Sequence, residues 1–275
     1  MGLNRTENIL DVRSESAYLS RHRVGAVNIP LEGLTGRIHE LPPREAPLTV
    51  YDLDRTRARR AASELLARGR HRVEIVSGPC WLAAGPTASG PSRDYLWQPH
   101  SLLVDAVDAA RRLWGGIVNK TAVDIASGTG RDAVFLALAG FDVEAWDALP
   151  DALERCRATA RRCRAAVRTH CRDVEAKITI PADRFDLICC FNFLHRPLIP
   201  EMAAGLRPGG LLVYETFVDP QRELFGKPRR AQRVLRPGEL QTFFTGWEIL
   251  VSREGLARPR RMVASLIARK PSAGS

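Results

Sequence analysis

Residues 123–132, Val-Asp-Ile-Ala-Ser-Gly-Thr-Gly-Arg-Asp, run an apolar strand pattern into a glycine turn and on into a helical pattern. Gly128 and Gly130 carry no Cβ, so bare backbone there can approach a ligand closely. Seventeen residues beyond Gly130, Asp147 ends the next strand pattern, where a carboxylate can accept from both ribose hydroxyls of an adenosine. Taken alone, Gly128-x-Gly130-x-x-Ala133 also satisfies a nicotinamide dinucleotide fingerprint. Asp124, two residues before the turn, suits an ammonium-bearing ligand better than a pyrophosphate. Asp173 follows a third strand pattern, placed to accept from an adenine amino group. Candidate proton acceptors are few. His195 stands in Phe193-Leu-His-Arg-Pro197, and Tyr214 and Glu215 end a later strand, all at the edge where ligands bind open α/β sheets.

Such residues need a sheet to position them. Ser101–Trp114 is expected to form an amphipathic helix, with Leu102, Val104, Ala106 and Leu113 toward the core. Strands are expected at 122–125, 142–146, 167–170, 185–191, 210–217, 248–252 and 262–269, with helices at 132–139 and 151–164. No crossover helix separates the last two strands, which points to an open seven-stranded sheet closed by an antiparallel hairpin. Before residue 85 the alternation is shorter: strands at 8–12, 24–30, 48–51 and 72–76, and a helix from Arg57 to Arg68 with Ala61, Leu65 and Leu66 on one face. The fold class is therefore α/β in two domains, residues 1–84 and 99–275. Residues 85–98 are expected to link them, because Gly85–Ser92 is rich in Gly, Pro and Ser and lacks apolar periodicity.

The ordered set of Asp124 to Gly130, Asp147, Arg172-Asp173, Phe185 to Asn192 and Leu206-Arg-Pro-Gly-Gly-Leu-Leu-Val213 resembles the class I S-adenosylmethionine-dependent methyltransferases over about 170 residues. The resemblance implies a Rossmann-like seven-stranded sheet and S-adenosylmethionine as cofactor. By position, Asp124, Ala126, Gly128 and Gly130 would line the methionine end. Asp147 and Ala148 would hold the ribose, Asp173 and Val174 the adenine, and Phe191 and Asn192 would lie near the sulfonium. Ala126 departs from the family, which usually has glycine there. The Gly-Thr-Gly-Arg-Asp turn and the trailing hairpin look most similar to the branch containing tellurite-resistance and thiopurine or thiol methyltransferases. A thiolate acceptor needs no strong base, whereas an alcohol must lose its proton to one; His195 and Tyr214 are the catalytic candidates.

In the first domain, Asp11-Val-Arg13, Glu15, Tyr18 and Val24-Gly-Ala-Val-Asn-Ile-Pro30 resemble the opening of a rhodanese domain, as do Leu48 to Tyr51 and the loop after them. An active rhodanese has a cysteine first in that loop, cradled by backbone N–H groups. Here the loop reads Asp52-Leu-Asp-Arg-Thr-Arg57, with Asp52 in the cysteine position and Arg55 at a usual glycine. The domain is expected to be a non-catalytic binding or assembly module.

Composition fits ordinary globular protein, 45% hydrophobic and 26% charged, with no apolar run long enough to span a bilayer, and the charge-interrupted N-terminus is not expected to be a signal peptide. The six cysteines show no zinc spacing and read as reduced thiols, which fits a cytoplasmic location. Of the net charge of +10, residues 216–275 supply +7, with Lys227, Arg229, Arg230, Arg233 and Arg236 in one cluster and Arg258, Arg260 and Arg261 in another. The expected partner is a small-molecule methyl acceptor, preferably a thiol or other chalcogen nucleophile, which the cationic tail would favour if anionic. Two alternatives stand: methylation of RNA or another macromolecule through that tail, and a cofactor-binding sensor without transferase activity. Against RNA bases, Phe191-Asn-Phe-Leu194 lacks the Asn/Asp-Pro-Pro-aromatic signature. No membrane partner is expected, and the sequence fixes no oligomeric state.

Overall fold

Strands that alternate with helices build a parallel sheet, and each part of this chain does so separately. The computed structural model describes residues 7–92, 94–176, 178–258 and 260–272, apart from the side chain of Arg258, and divides into two units, Met1–Gln98 and Pro99–Ser275.

The first unit contains β1 (Ile9–Asp11), α1 (Glu15–Ser20), β2 (His22–Arg23), β3 (Ala26–Asn28), β4 (Leu48–Asp52), α2 (Arg55–Leu66), β5 (Val73–Ser77), α3 (Pro79–Ala83) and β6 (Thr87–Ala88). Its main sheet runs β3-β1-β4-β5, all parallel. Leu10, Val12, Leu48 and Val50 pack with Ala61 and Leu65 of α2 in one core. Leu66, expected on the same face, is 46% exposed because the helix turns it past the stripe. The expected linker is partly structured within this unit: β6 pairs antiparallel with β2, and Leu96 packs in the same core.

The second unit contains α4 (Ser101–Trp114), β7 (Thr121–Ile125), α5 (Arg131–Ala139), β8 (Asp142–Asp147), α6 (Pro150–Cys163), β9 (Val167–Cys171), β10 (Phe185–Phe191), α7 (Leu198–Gly205), β11 (Leu206–Phe217), α8 (Pro220–Phe225), α9 (Glu239–Thr242), β12 (Glu248–Arg258) and β13 (Arg261–Arg269). The seven strands are ordered β12-β13-β11-β10-β7-β8-β9. Among the described residues of this sheet, the antiparallel pairs are β12 with β13 and β13 with β11. All seven residues of β10 are buried, as a central strand covered on both faces requires. Alternate side chains divide between two cores. Ala122, Val143, Leu187, Cys189 and Val213 face α4 and α5; Val123, Ile125, Ile188, Cys190 and Leu212 face α7.

Helix α4 spans the expected residues, but its buried stripe is Leu102, Leu103, Ala106, Val107 and Ala110. Val104 is half-buried and Leu113 is 37% exposed, since a 3.6-residue period carries both off that stripe. The chain order reverses between β7 and β10, so β8 and β9 lie to one side and β11 to the other. In an open α/β sheet this switch point opens a crevice beyond the strand C-termini. Here the crevice lies between Ala126 after β7 and Asn192 after β10.

Candidate functional site

The turn after β7 is built from left-handed residues: Ala126 at φ 57°, Gly128 at φ 54° and Gly130 at φ 75°. A Cβ on Gly130 would stand 2.1 Å from Cys156 Sγ, so that glycine permits α5 and α6 to meet. A Cβ on Gly128 would meet nothing within 4 Å; here the bare backbone borders open space. Ser127 Oγ, between them, is buried and lacks a hydrogen-bond partner. Beside the turn, Asp147 at the end of β8 accepts from Gly128 N at 2.7 Å through Oδ2 and from Leu149 N at 2.9 Å through Oδ1. Ala148 and Leu149 are exposed next to it, Leu149 at 63%.

Asp124 lies beneath the turn, fully buried, its Oδ2 accepting from Ala133 N at 3.1 Å and its Oδ1 from Cys189 Sγ at 3.7 Å. Burial pushes its carboxyl well above the ordinary range, and the nearby charge of Asp132 adds to this. After β9, Asp173 is exposed and accepts from Glu175 N at 2.9 Å, while Val174 is buried. After β10, Phe191 is buried, and Asn192 is exposed at φ 59° with its N–H donating to Glu215 O at 2.8 Å. All ten residues expected to hold the cofactor stand at the C-terminal ends of β7, β8, β9 and β10 or in the turns that follow them. A cradle open at Gly128, an unpartnered Ser127 hydroxyl and the Asp147 and Asp173 carboxylates fit an adenosyl ligand, while Asp124, expected to suit an ammonium, is buried beneath the turn.

The two catalytic candidates fare differently. Tyr214 is buried, its hydroxyl donates to Phe193 O at 2.8 Å, and burial pushes its pKa well up. It tethers the loop after β10 and is a poor proton acceptor. His195 is half-buried in that loop, where its carbonyl starts the turn into α7. Nearby, Glu175 is held below its ordinary range chiefly by the hydrogen bond from Arg233. Arg233, expected in a cationic cluster, is half-buried and spent on Glu175 at 2.5 Å, whereas Lys227, Arg229, Arg230 and Arg236 are exposed. Of the second cluster, Arg260 is exposed, Arg261 bonds Asn192 Oδ1, and the Arg258 side chain lies outside the described residues.

The family model for a methyltransferase domain matches residues 122–210, and that for a rhodanese-like domain matches residues 2–79. The chain joins a rhodanese-like domain to a methyltransferase domain. An uncharacterized protein of Schizosaccharomyces pombe is 23% identical, covering 95% of this chain and 93% of that protein. Hemagglutinin 1 of Eikenella corrodens is 26% identical over 59% of this chain, and the match spans just over half of its length, 55%. The YcgJ protein of Bacillus subtilis, 15% identical with a TM-score of 0.51, covers 63% of this chain and 100% of its own, a likeness of fold.

In the rhodanese-like domain, Asp52 is the last residue of β4 and is buried. Its Oδ1 accepts from Asp54 N at 3.0 Å and its Oδ2 from Arg57 Nε at 3.1 Å, while Arg57 also bonds Glu32. Helix α2 begins at Arg55, two residues earlier than expected, so only Leu53 and Asp54 separate strand from helix. The expected sulfur position is thus held by an internal carboxylate tied to Asp54 and Arg57. Cys80 is exposed in α3.

His100, Ser127, Asp132 and Leu149 escaped the reading of the sequence. Ser127 and Asp132 stood inside the glycine motif and could have been named from it; His100 carried no local signal.

Proposed function

We propose that this chain is an S-adenosylmethionine-dependent methyltransferase that acts on a small molecule in the cytoplasm, with a thiol or other chalcogen nucleophile as acceptor. The observation that carries the reading is the open backbone at Gly128, held by the Asp147 carboxylate at the end of β8, beside the switch point. When bound, the cofactor supplies a methyl group already activated on a sulfonium. Asp124, buried beneath the turn, would shape the methionine end through its bond from Ala133 N, Asp147 would meet the ribose hydroxyls, and Asp173, Val174 and Leu149 the adenine. What remains for the protein is to align the acceptor and exclude water. The exposed Lys227, Arg229, Arg230 and Arg236 favour an anionic acceptor. Among the described residues no helix is long and apolar enough to cross a membrane. The rhodanese-like domain, with Asp52 in the sulfur position, serves in binding or assembly.

The test is a screen of the full chain with methyl-labelled S-adenosylmethionine over thiols, selenite, tellurite and total RNA. Label appearing in a methylated thiol or chalcogenide supports the proposal. Label appearing in RNA alone would reverse it.

A further inference from the structure

His100 precedes α4 and belongs to no motif, yet three elements of the methyltransferase domain converge on it. Its N–H donates to Asp132 Oδ1 of α5 at 2.7 Å. Its ring stacks on Phe191 of β10, with centroids 4.1 Å apart and planes inclined by 7°. Its Nε2 is 3.2 Å from Glu215 Oε1 of β11. Glu215 Oε2 accepts in turn from the Ser265 hydroxyl at 2.7 Å, across the β11–β13 register. Burial raises the Glu215 carboxyl, but the contacts with His100, Ser265 and the nearby Arg261 charge outweigh it and leave the group below its ordinary range. An ionised Glu215 holds a proton on Nε2, an assignment that follows from the hydrogen-bond partner, and Nδ1 then carries the lone pair. That Nδ1 is buried and has no hydrogen-bond partner. A fixed ring with one idle nitrogen, stacked on the residue placed at the sulfonium end, is poorly explained by structural need alone.

We propose that His100 is the proton acceptor for a thiol substrate, with Glu215 and Ser265 as positioning residues. The proposal rests on the methyltransferase reading above, with Phe191 and Asn192 at the sulfonium end. A thiol, with a reference pKa of about 8.5, is mostly protonated at neutral pH, so a base that takes its proton in the transfer step speeds the reaction. The S–H proton passes to Nδ1 while a lone pair on the acceptor sulfur forms the bond to the methyl carbon. The bond from that carbon to the sulfonium breaks, and its electron pair stays on the departing sulfur, giving a methyl thioether and S-adenosylhomocysteine. The imidazolium is held against Glu215 and returns its proton to solvent.

The experiment compares wild type, His100→Gln and Glu215→Gln, full length, in transfer of labelled methyl to 2-mercaptoethanol between about pH 6 and 9. S-Adenosylhomocysteine affinity is measured alongside by calorimetry, and the His100 tautomer by NMR of ring-labelled histidine. Wild type is expected to show the Nε2–H tautomer. His100→Gln should bind S-adenosylhomocysteine as wild type does and lose about 10²-fold in kcat/KM at pH 7. Its rate should then climb with pH as the free thiolate fraction does, and Glu215→Gln should fall between the two. An unchanged pH profile in His100→Gln, an Nδ1–H tautomer, or joint loss of cofactor affinity and activity would overturn the proposal, the last making His100 a binding residue. Wild type that binds S-adenosylhomocysteine but leaves the thiol unmethylated would overturn it too. Failure of wild type to bind S-adenosylhomocysteine at all would instead bring down the reading on which it rests.

Discussion

The carboxylate of Asp147 accepts the backbone N–H of Gly128 at 2.7 Å, so the acid that ends β8 also holds the glycine turn after β7. Its other oxygen takes Leu149 N at 2.9 Å, and each oxygen keeps a second lone pair for a ligand hydroxyl. Shape of the turn and, in the proposed reading, recognition of the ribose therefore depend on one side chain.

Ala126 stands at φ 57°, where a Cβ costs roughly 1–2 kcal/mol and glycine does not. Part of that is offset by the greater freedom glycine gives the unfolded chain, about 0.4–1 kcal/mol. Ala126→Gly should stabilise the methyltransferase domain by about 0.5–1 kcal/mol, read as a rise of a few degrees in its melting transition. A lowered melting temperature would show that the Ala126 methyl makes contacts worth more than the strain.

Asp124 carries a carboxyl raised by burial, so the folded state holds its proton to higher pH than the unfolded state does. Its contribution to stability is therefore present at low pH and lost as pH rises from the unfolded value through the folded one. Asp124→Asn removes this loss. Without ligand, the variant should gain stability over wild type as pH is raised toward 8, a trend read by denaturant melts, while S-adenosylhomocysteine binding falls. A stability difference that does not change with pH would contradict the buried protonated acid.

Arg229 and Arg230 are exposed, unlike Arg233, which is tied to Glu175. Reversing both to Glu should raise the KM for an anionic acceptor about tenfold and spare cofactor affinity, and added salt should act in the same direction on wild type. A KM indifferent to both changes would mark these arginines as a solvated face.

Thiosulfate:cyanide sulfurtransferase activity should be absent from the wild type, because Asp52 offers no thiolate and its carboxylate is engaged by Arg57 and Asp54. Asp52→Cys should restore a trace at most, and lose about 1–3 kcal/mol of stability as the Arg57 and Asp54 contacts go unpaired. Strong thiocyanate production by wild type, abolished by Cys80→Ser, would make the exposed Cys80 the nucleophile.

Much of this was legible because local pattern and topology agree. The apolar patterns of 122–125 and 142–146 and the uninterrupted apolar run of 185–191 pointed to three strands, and the missing crossover before 262 pointed to the hairpin. Gly128 and Gly130 announced the turn, since few other residues adopt those angles without strain. What stayed hidden depends on distance in sequence. The His100–Glu215–Ser265 chain joins residues 115 and 50 positions apart, brought together only by the β11–β13 register and the packing of α4. Tyr214 read as a site residue because it stands at the right edge, yet its side chain points into the core that faces α7. Gly85–Ser92 read as a linker because a two-residue strand is too short to leave a periodic pattern.

The central claim is most directly tested by titration calorimetry of the full chain with S-adenosylhomocysteine, wild type beside Asp147→Ala. Wild type should bind one equivalent, and the variant should bind more weakly by about 2–4 kcal/mol, the scale of two charge-assisted hydrogen bonds. Equal affinity in the two proteins would remove Asp147 from the ribose. No heat of binding with wild type, under conditions where NAD binds, would contradict the assignment of this crevice to S-adenosylmethionine.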